Sequence, residues 1–282
     1  MEKTCQYDFF VMSNYLNKEI SNGRIEKIYE IEGKEKYVFK FKIYAKEKKE
    51  LIFTNEAIAI FKDEKIELNP PLNPPSFVML LRKYLENKFI QNVKQINFDK
   101  ILCIETRENL LYLEFFSDGN VILCDKENKI LGALIEREWK GRKIYKKEIY
   151  KPPDLKFDEK IFFGRYYEKI KGMKFEECIE NLKTEELNII NILKDLLIKG
   201  IEELKKDEED KILKELKKLE YVEKIQRERI EELKEEIKRN YEIGNKIYEN
   251  FNILNEILQN VRNNIPDKRV KRREGNIIFV EI

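Results

Sequence analysis

The spacing of apolar residues changes along the chain, and each change predicts a new element. Over residues 8–22, Phe9, Met12, Leu16 and Ile20 fall on one helical face, with Asp8 placed as N-cap and Gly23 as terminator. From Arg24 to Phe61 the period becomes two, in the runs Ile25–Ile31, Tyr37–Tyr44, Leu51–Thr54 and Ala57–Phe61. Tyr37, Phe39, Phe41 and Ile43 share one face of the second run, and Lys40 and Lys42 lie on the other. This predicts an antiparallel strand with one solvated side, not a stacking surface for bases, because aromatics and cations point opposite ways.

Two Pro-Pro steps at 70–71 and 74–75 hold the next stretch extended. Ser76 is then placed to cap a helix whose apolar positions are Phe77, Leu80, Leu81, Tyr84 and Leu85. Gln91–Asn97 reads as a turn, and Asp99-Lys100 opens the apolar strand Ile101–Ile104. Leu110–Phe116, Val121–Asp125 and Lys129–Ile135 form three more strands. A hairpin signal at Asp118-Gly119 joins the first two, and Asp125 reads as a turn residue.

Residues 157–205 are helical, with Phe162, Phe163, Tyr166, Phe175, Leu182, Leu187, Ile190, Leu193 and Leu197 as the apolar set. From Asp207 to about Asn264 one charged helix carries a heptad frame from Ile212 to Val261, in which eleven of fifteen seam positions are apolar. The four exceptions, Glu223, Gln226, Asn240 and Gly244, interrupt the seam in two places. Pro266 stops the helix. The basic run Lys268–Arg273 then precedes a final strand, Ile277–Ile282, with no partner left in the chain. That ending predicts the N-terminal piece of a longer protein, or half of a split one.

Composition narrows the chemistry. Charged residues are 39% and hydrophobic ones 42%, which suits a core plus an exposed helix better than one globule. The net charge of +2 hides 56 basic and 54 acidic residues, so any nucleic-acid contact must come from local patches. The absence of His excludes Ser-His-Asp and Cys-His catalysis and mixed Cys/His zinc sites. Cys5, Cys103, Cys124 and Cys178 are widely spaced with no C-x-x-C, as expected of reduced, buried thiols. Neither a signal peptide nor an apolar run approaching the roughly 20 residues of a membrane span is present, so a cytoplasmic protein without membrane contact is expected.

Local patches do occur. Between Trp139 and Lys147, cations including Arg142, Lys143 and Lys146 alternate with Trp139 and Tyr145, followed by Tyr150-Lys151-Pro152-Pro153. That pattern suits either a phosphate-and-base surface or an aggregation-resistant edge strand. Lys268, Arg269, Lys271, Arg272 and Arg273 form a second basic candidate, and Arg82 and Lys83 either contact RNA or complement a helix C-terminus.

The run Pro-Pro-x-x-Pro-Pro-Ser-Phe-x-Met-Leu-Leu-Arg-Lys-x-Leu from Pro70, followed by Phe98-Asp99-Lys100-Ile101, resembles the N-terminal domain of the NFACT family. These are the NEMF and RqcH ribosome quality-control factors, formerly labelled fibronectin-binding protein A. Members usually carry Asp-Arg where this chain has Asp99-Lys100, so a bidentate fork is replaced by a point charge. The resemblance implies an α+β fold: a MutM-like, β-rich domain with covering helices over 1–155, then a helical module at the helix-hairpin-helix position over 156–206. It further implies a coiled-coil arm over 207–265 and, over 266–282, a basic tip and strand of an incomplete middle region. The glycine-rich hairpin usual in the module is missing, so a reduced version is expected.

By the same resemblance the protein is a non-enzymatic RNA-binding factor without cofactor or metal. It engages tRNA on large ribosomal subunits with stalled nascent chains and supports C-terminal tailing. Asp8, Asp99 and Lys100 are the implied tRNA contacts, with Arg82 and Lys83 nearby. A glycosylase-like enzyme is the alternative, but no N-terminal proline nucleophile is present. A coiled-coil scaffold is another. The unpaired seam of the arm predicts self-association.

Overall fold

A computed structural model describes residues 4–32, 37–62, 64, 66, 68–139, 141–154 and 156–282, with the side chains of Glu32, Trp139, Asp207 and Glu208 excepted. The chain divides into two compact units, Met1–Asp210 and Lys211–Ile282.

In the first unit, helix α1 (Gln6–Ile20) presents Phe9, Met12, Leu16 and Ile20 to the core, all fully buried. It begins three residues earlier than its sequence suggests. Cys5 is the N-cap, and Asp8 sits in the first turn, where its Oδ2 accepts the Cys5 N–H at 2.7 Å. The helix ends at Ile20 with Ser21 as C-cap, and Asn22 rather than Gly23 takes the left-handed conformation, at φ 61°. Gly23 is needed for space: a Cβ there would lie 2.8 Å from Ala45 Cβ and from Ile43 Cγ2.

Strands β1 (Arg24–Glu32), β2 (Tyr37–Ala45), β3 (Glu47–Phe53) and β4 (Ile58–Phe61) form an antiparallel meander in chain order. As expected from its alternation, β2 buries Tyr37, Phe39, Phe41 and Ile43 while Lys42 is exposed. Helix α2 (Ser76–Leu85) starts after Pro75, so Ser76 is its first residue and not its cap. Leu81 and Leu85 are buried, and so is Val78, which the apolar pattern passed over.

A second meander follows: β5 (Ile90–Gln95), β6 (Ile101–Thr106), β7 (Asn109–Glu114), β8 (Asn120–Asp125) and β9 (Ile130–Ala133). The stretch expected to turn is therefore mostly strand. A register shift between Ile90 and Asn92 breaks its alternation, which hides the strand from a period-two reading. The real turn lies at Asn97 and Phe98, both at positive φ. The sheet is buried on both faces. Leu102, Ile104, Leu111, Leu113 and Leu123 join the main core, and Ile101, Cys103, Leu110, Tyr112, Ile122 and Cys124 join a second cluster closed by Ile144 and Tyr150. The four cysteines are free and buried, and burial pushes the Cys103 thiol up to about 12. Asp125 is a turn residue as expected: its Oδ1 accepts the N–H groups of Glu127 and Lys129, each at 2.9 Å.

The hairpin β10 (Arg137–Trp139) and β11 (Arg142–Ile144) covers that second face. Helices α3 (Glu159–Phe163), α4 (Tyr167–Ile170) and α5 (Phe175–Leu182), with short 3-10 turns at Gly164–Tyr166 and Lys183–Glu185, lead into the 64-residue α6 (Glu186–Glu249). Phe162, Phe163, Tyr166, Leu182, Leu193 and Leu197 are buried in the main core. Leu187, assigned to the apolar set, is 70% exposed, because Ile189, Leu193, Leu197, Ile201 and Leu204 define the buried face.

In the second unit the expected continuous helix is broken. After α6 ends, Asn250 leaves helical geometry at φ −102° and ψ 14°, and α7 (Phe251–Arg262) restarts. The final strand does have a partner. Strand β12 (Val270–Glu274) is formed by the basic run itself and pairs antiparallel with β13 (Ile277–Val280). Ile278 and Val280 line an apolar groove with Phe251, Leu254, Ile257 and Leu258, and Ile257 is buried.

Candidate nucleic-acid interface

The second sheet places Asp99 at the mouth of β6, as the sequence suggests, but the side chain faces inward. Asp99 is 6% exposed; its Oδ1 accepts the Lys100 N–H at 2.7 Å and the Gln6 amide at 3.4 Å. Its backbone is held as well, with the Gln95 Nε2 donating to both Asp99 O (2.8 Å) and Gln6 O (2.9 Å). Burial raises the Asp99 carboxyl above the ordinary aspartate range. Lys100 turns toward the N-terminal segment, where its ammonium donates to Thr4 O and, at 3.2 Å, to Thr4 Oγ1.

Asp8 is fully buried. Arg165 clasps it with Nη2 to Oδ1 at 2.7 Å and Nη1 to Oδ2 at 3.0 Å, and the same Nη2 donates to the Tyr166 hydroxyl at 2.6 Å. Gly164, at φ 50°, turns the chain so that Arg165 can reach back; a Cβ on Gly164 would lie 2.6 Å from Cys5 Cβ. Asp8 therefore joins α1 to the helical segment across 157 residues of sequence.

Arg82 is also committed to structure. Its Nε and Nη2 donate to Ile28 O at 2.9 and 2.7 Å, and its guanidinium stands 5.7 Å from the Tyr29 ring. It pins α2 to β1 instead of complementing a helix end. Lys83 is exposed, 5.3 Å from the Tyr84 ring.

The structure brings Asp99 together with the Trp139–Lys151 run. A cleft of about 850 Å³ is lined by Gln6, Asp99, Phe116, Arg137, Arg142, Lys143, Glu148, Lys151 and Pro152–Asp154. Arg142 is anchored, not offered to a ligand: it pairs with the fully buried Glu114 carboxylate, donates through Nε to Lys151 O, and lies 5.1 Å from the Tyr150 ring. Burial holds the Tyr150 phenol well above its ordinary value, so it stays protonated and donates to Glu114 Oε1 at 2.9 Å. Arg137 pairs with Asp118 at 3.1 Å. Lys143, Lys146, Lys147 and Lys151 are exposed. The Trp139 side chain and Lys140 lie outside the described residues.

In the second unit, Arg269 grips Asp267 through Nε (2.9 Å) and Nη2 (2.7 Å) and approaches Glu256, so it closes the turn before β12. Arg272 pairs with Glu274, and Lys271 with Glu281 at 2.8 Å. Lys268 and Arg273 are exposed. Sequence reasoning missed Gln6, Arg137, Glu114 and Arg165. Only Glu114 carried a signal, as a lone charge inside the apolar run Leu110–Phe116.

Two antiparallel meanders with covering helices, and a cleft edged by exposed lysines against the second of them, define a mixed α+β protein. A family profile described as the NFACT N-terminal and middle domains matches residues 9–187, well over half of the chain, and the chain belongs to that family. The archaeal Rqc2 homolog aRqcH of Methanocaldococcus jannaschii is 34% identical over 145 residues, covering 49% of this chain and 22% of that protein. Ribosome quality control complex subunit 2 of Saccharomyces cerevisiae is 29% identical over 207 residues, covering 71% of this chain and 20% of its own length. The chain thus spans about a fifth of these relatives. The solved N-terminal part of the fibronectin/fibrinogen-binding protein of Streptococcus suis is 21% identical with a TM-score of 0.49, over 64% of this chain and 73% of that one.

Proposed function

We propose that this chain is an RNA-binding part of a ribosome quality-control factor, engaging tRNA on large ribosomal subunits whose nascent chain is stalled and supporting C-terminal tailing. The observation that carries the reading is the cleft at which Asp99 meets the exposed lysines of the 143–151 run. Phosphates would be met by Lys143, Lys146, Lys147 and Lys151, the exposed cations of that surface. The name of the Saccharomyces cerevisiae relative supports the ribosomal setting. The role is binding and not catalysis: Asp8 is spent on Arg165, and Asp99 is buried and hydrogen-bonded to the Lys100 N–H and the Gln6 amide. Within this reading Asp8 acts indirectly, by joining α1 to the helical segment, and Arg82 and Arg142 shape the fold around the surface.

The test is tRNA binding by fluorescence anisotropy across a salt series, followed by footprinting on purified large subunits. Affinity should fall with salt by about 0.7–0.9 log units per phosphate contact per decade. Reversing Lys143 and Lys146 to Glu should weaken binding and flatten that slope while leaving the melting temperature unchanged. Salt-independent binding, or an affinity indifferent to the reversal, overturns the reading.

A further inference from the structure

At the lip of the cleft two phenylalanines stand where a buried pair would be expected. Phe98 is 46% exposed and Phe157 is 47% exposed, with ring centroids 5.2 Å apart and planes at 62°. Asp99, next to Phe98, lines the cleft, as do Pro152–Asp154 just before Phe157. The backbone holds Phe98 out in an uncommon way. Asn97 and Phe98 are consecutive residues at φ 51° and 52°, a region that a bulky L-residue seldom adopts. Such outliers persist only where the surroundings over-determine them, and they gather at binding sites. Behind the pair, Phe162 lies 5.6 Å and Phe175 6.0 Å from the Phe98 ring, and Phe162 lies 5.4 Å from that of Phe157. These contacts tie both rings to the buried cluster, while each residue keeps nearly half of its surface exposed.

We infer that Phe98 and Phe157 form a stacking platform for an unpaired nucleobase of a single-stranded RNA segment. The inference rests on the RNA-binding reading above and specifies which part of the RNA this lip receives. The occupant follows from charge and shape together. A π face accepts any base, and the lysines edging the adjoining cleft suit the phosphates on either side of it. An apolar lid for Phe162 and Phe175 would need neither the half-exposed aromatic face nor the positive φ, since a leucine in ordinary geometry would cover them.

The experiment compares the full chain with its Phe98→Leu and Phe157→Leu variants, using a short labelled single-stranded RNA and the same sequence as a duplex. Leucine keeps apolar contact with the cluster and removes the π face. Base–aromatic stacking of its usual strength predicts roughly tenfold weaker single-strand binding for each variant. Duplex affinity, salt slope and melting temperature should be unchanged, and Phe98→Trp should restore single-strand binding. Equal losses for single strand and duplex, or a loss only alongside a lowered melting temperature, overturn the platform. Phe157→Leu decides the matter should Phe98→Leu fail to fold. Salt-dependent wild-type binding that neither leucine variant alters removes the platform alone; a wild-type chain that binds neither RNA removes the RNA-binding reading with it.

Discussion

Asp8→Ala is expected to act on stability before it acts on any RNA. The carboxylate is fully buried and holds both Arg165 Nη atoms and the Cys5 N–H, and the Arg165 side chain is only 17% exposed. Removing one partner of a buried ion pair costs about 3–5 kcal/mol, because the other charge is left without compensation. Access of water to Arg165 places Asp8→Ala at the lower end, and the lost first-turn acceptor adds about 1 kcal/mol. Arg165→Ala strands Asp8, at zero exposure, and belongs at the upper end. In a unit of this size such losses lower the melting temperature by about 6–20 °C. The assay is a urea melt followed by circular dichroism. The double variant Asp8→Ala/Arg165→Ala should cost well under the sum of the two single changes, with a coupling of about 1.5 kcal/mol or more. Single variants within about 1 kcal/mol of wild type, with additive costs, would refute the clasp. With the clasp in place, a tRNA-binding defect of Asp8→Ala should be matched by Arg165→Ala and should scale with the fraction unfolded.

Three other outcomes are expected. Burial raises the Asp99 pKa above its ordinary 3.8, so its contribution to stability is full below that value and is lost as pH rises through the raised folded value. Asp99→Asn keeps an oxygen acceptor for the Lys100 N–H; it should be at least as stable as wild type at neutral pH, with the advantage vanishing in acid, as read by thermal melts across pH. A less stable variant at neutral pH would show the ionised carboxylate to be net stabilising. Arg82→Ala removes two charged hydrogen bonds to Ile28 O and should cost about 1.5–3 kcal/mol in a urea melt with tRNA affinity unchanged; weaker binding at unchanged stability would return Arg82 to the RNA contacts. The apolar seam of the second unit, with Ile230, Leu233, Ile237 and Ile247 all exposed, should drive self-association visible by light scattering across a concentration series, each buried side chain contributing roughly 1.5–3 kcal/mol. Ile237→Glu should shift the equilibrium to monomer, and a wild-type monomer at every concentration would show the interrupted seam unable to pair.

Local periodicity carried much of the fold. The buried face of α1, the alternation of β2, and the runs that became β6, β7 and β8 depend on side chains a few residues apart, so the sequence displays them directly. It fell short where hydrogen bonding and not burial makes the element. Strand β5 is broken by a register shift, and β12 is a largely exposed basic run whose partner lies just beyond a two-residue turn. Neither shows an apolar alternation. The arm broke at Asn250, where the heptad count continues although the helix does not.

The chemical types at the interface were legible as well, since a run of cations among aromatics and a motif around Asp99 can be read in order. What only the tertiary structure decided is which charges are used up inside the protein. Arg82, Arg142 and Arg165 look alike in sequence as basic surface residues, yet each is bound to an acceptor 28 to 157 residues away. A charge near low-dielectric interior is stable only with a partner, and that partner is chosen by how the sheets and helices meet, not by spacing along the chain. The same packing turned Asp99 inward and left Phe98 facing out, reversing what their polarity alone would assign.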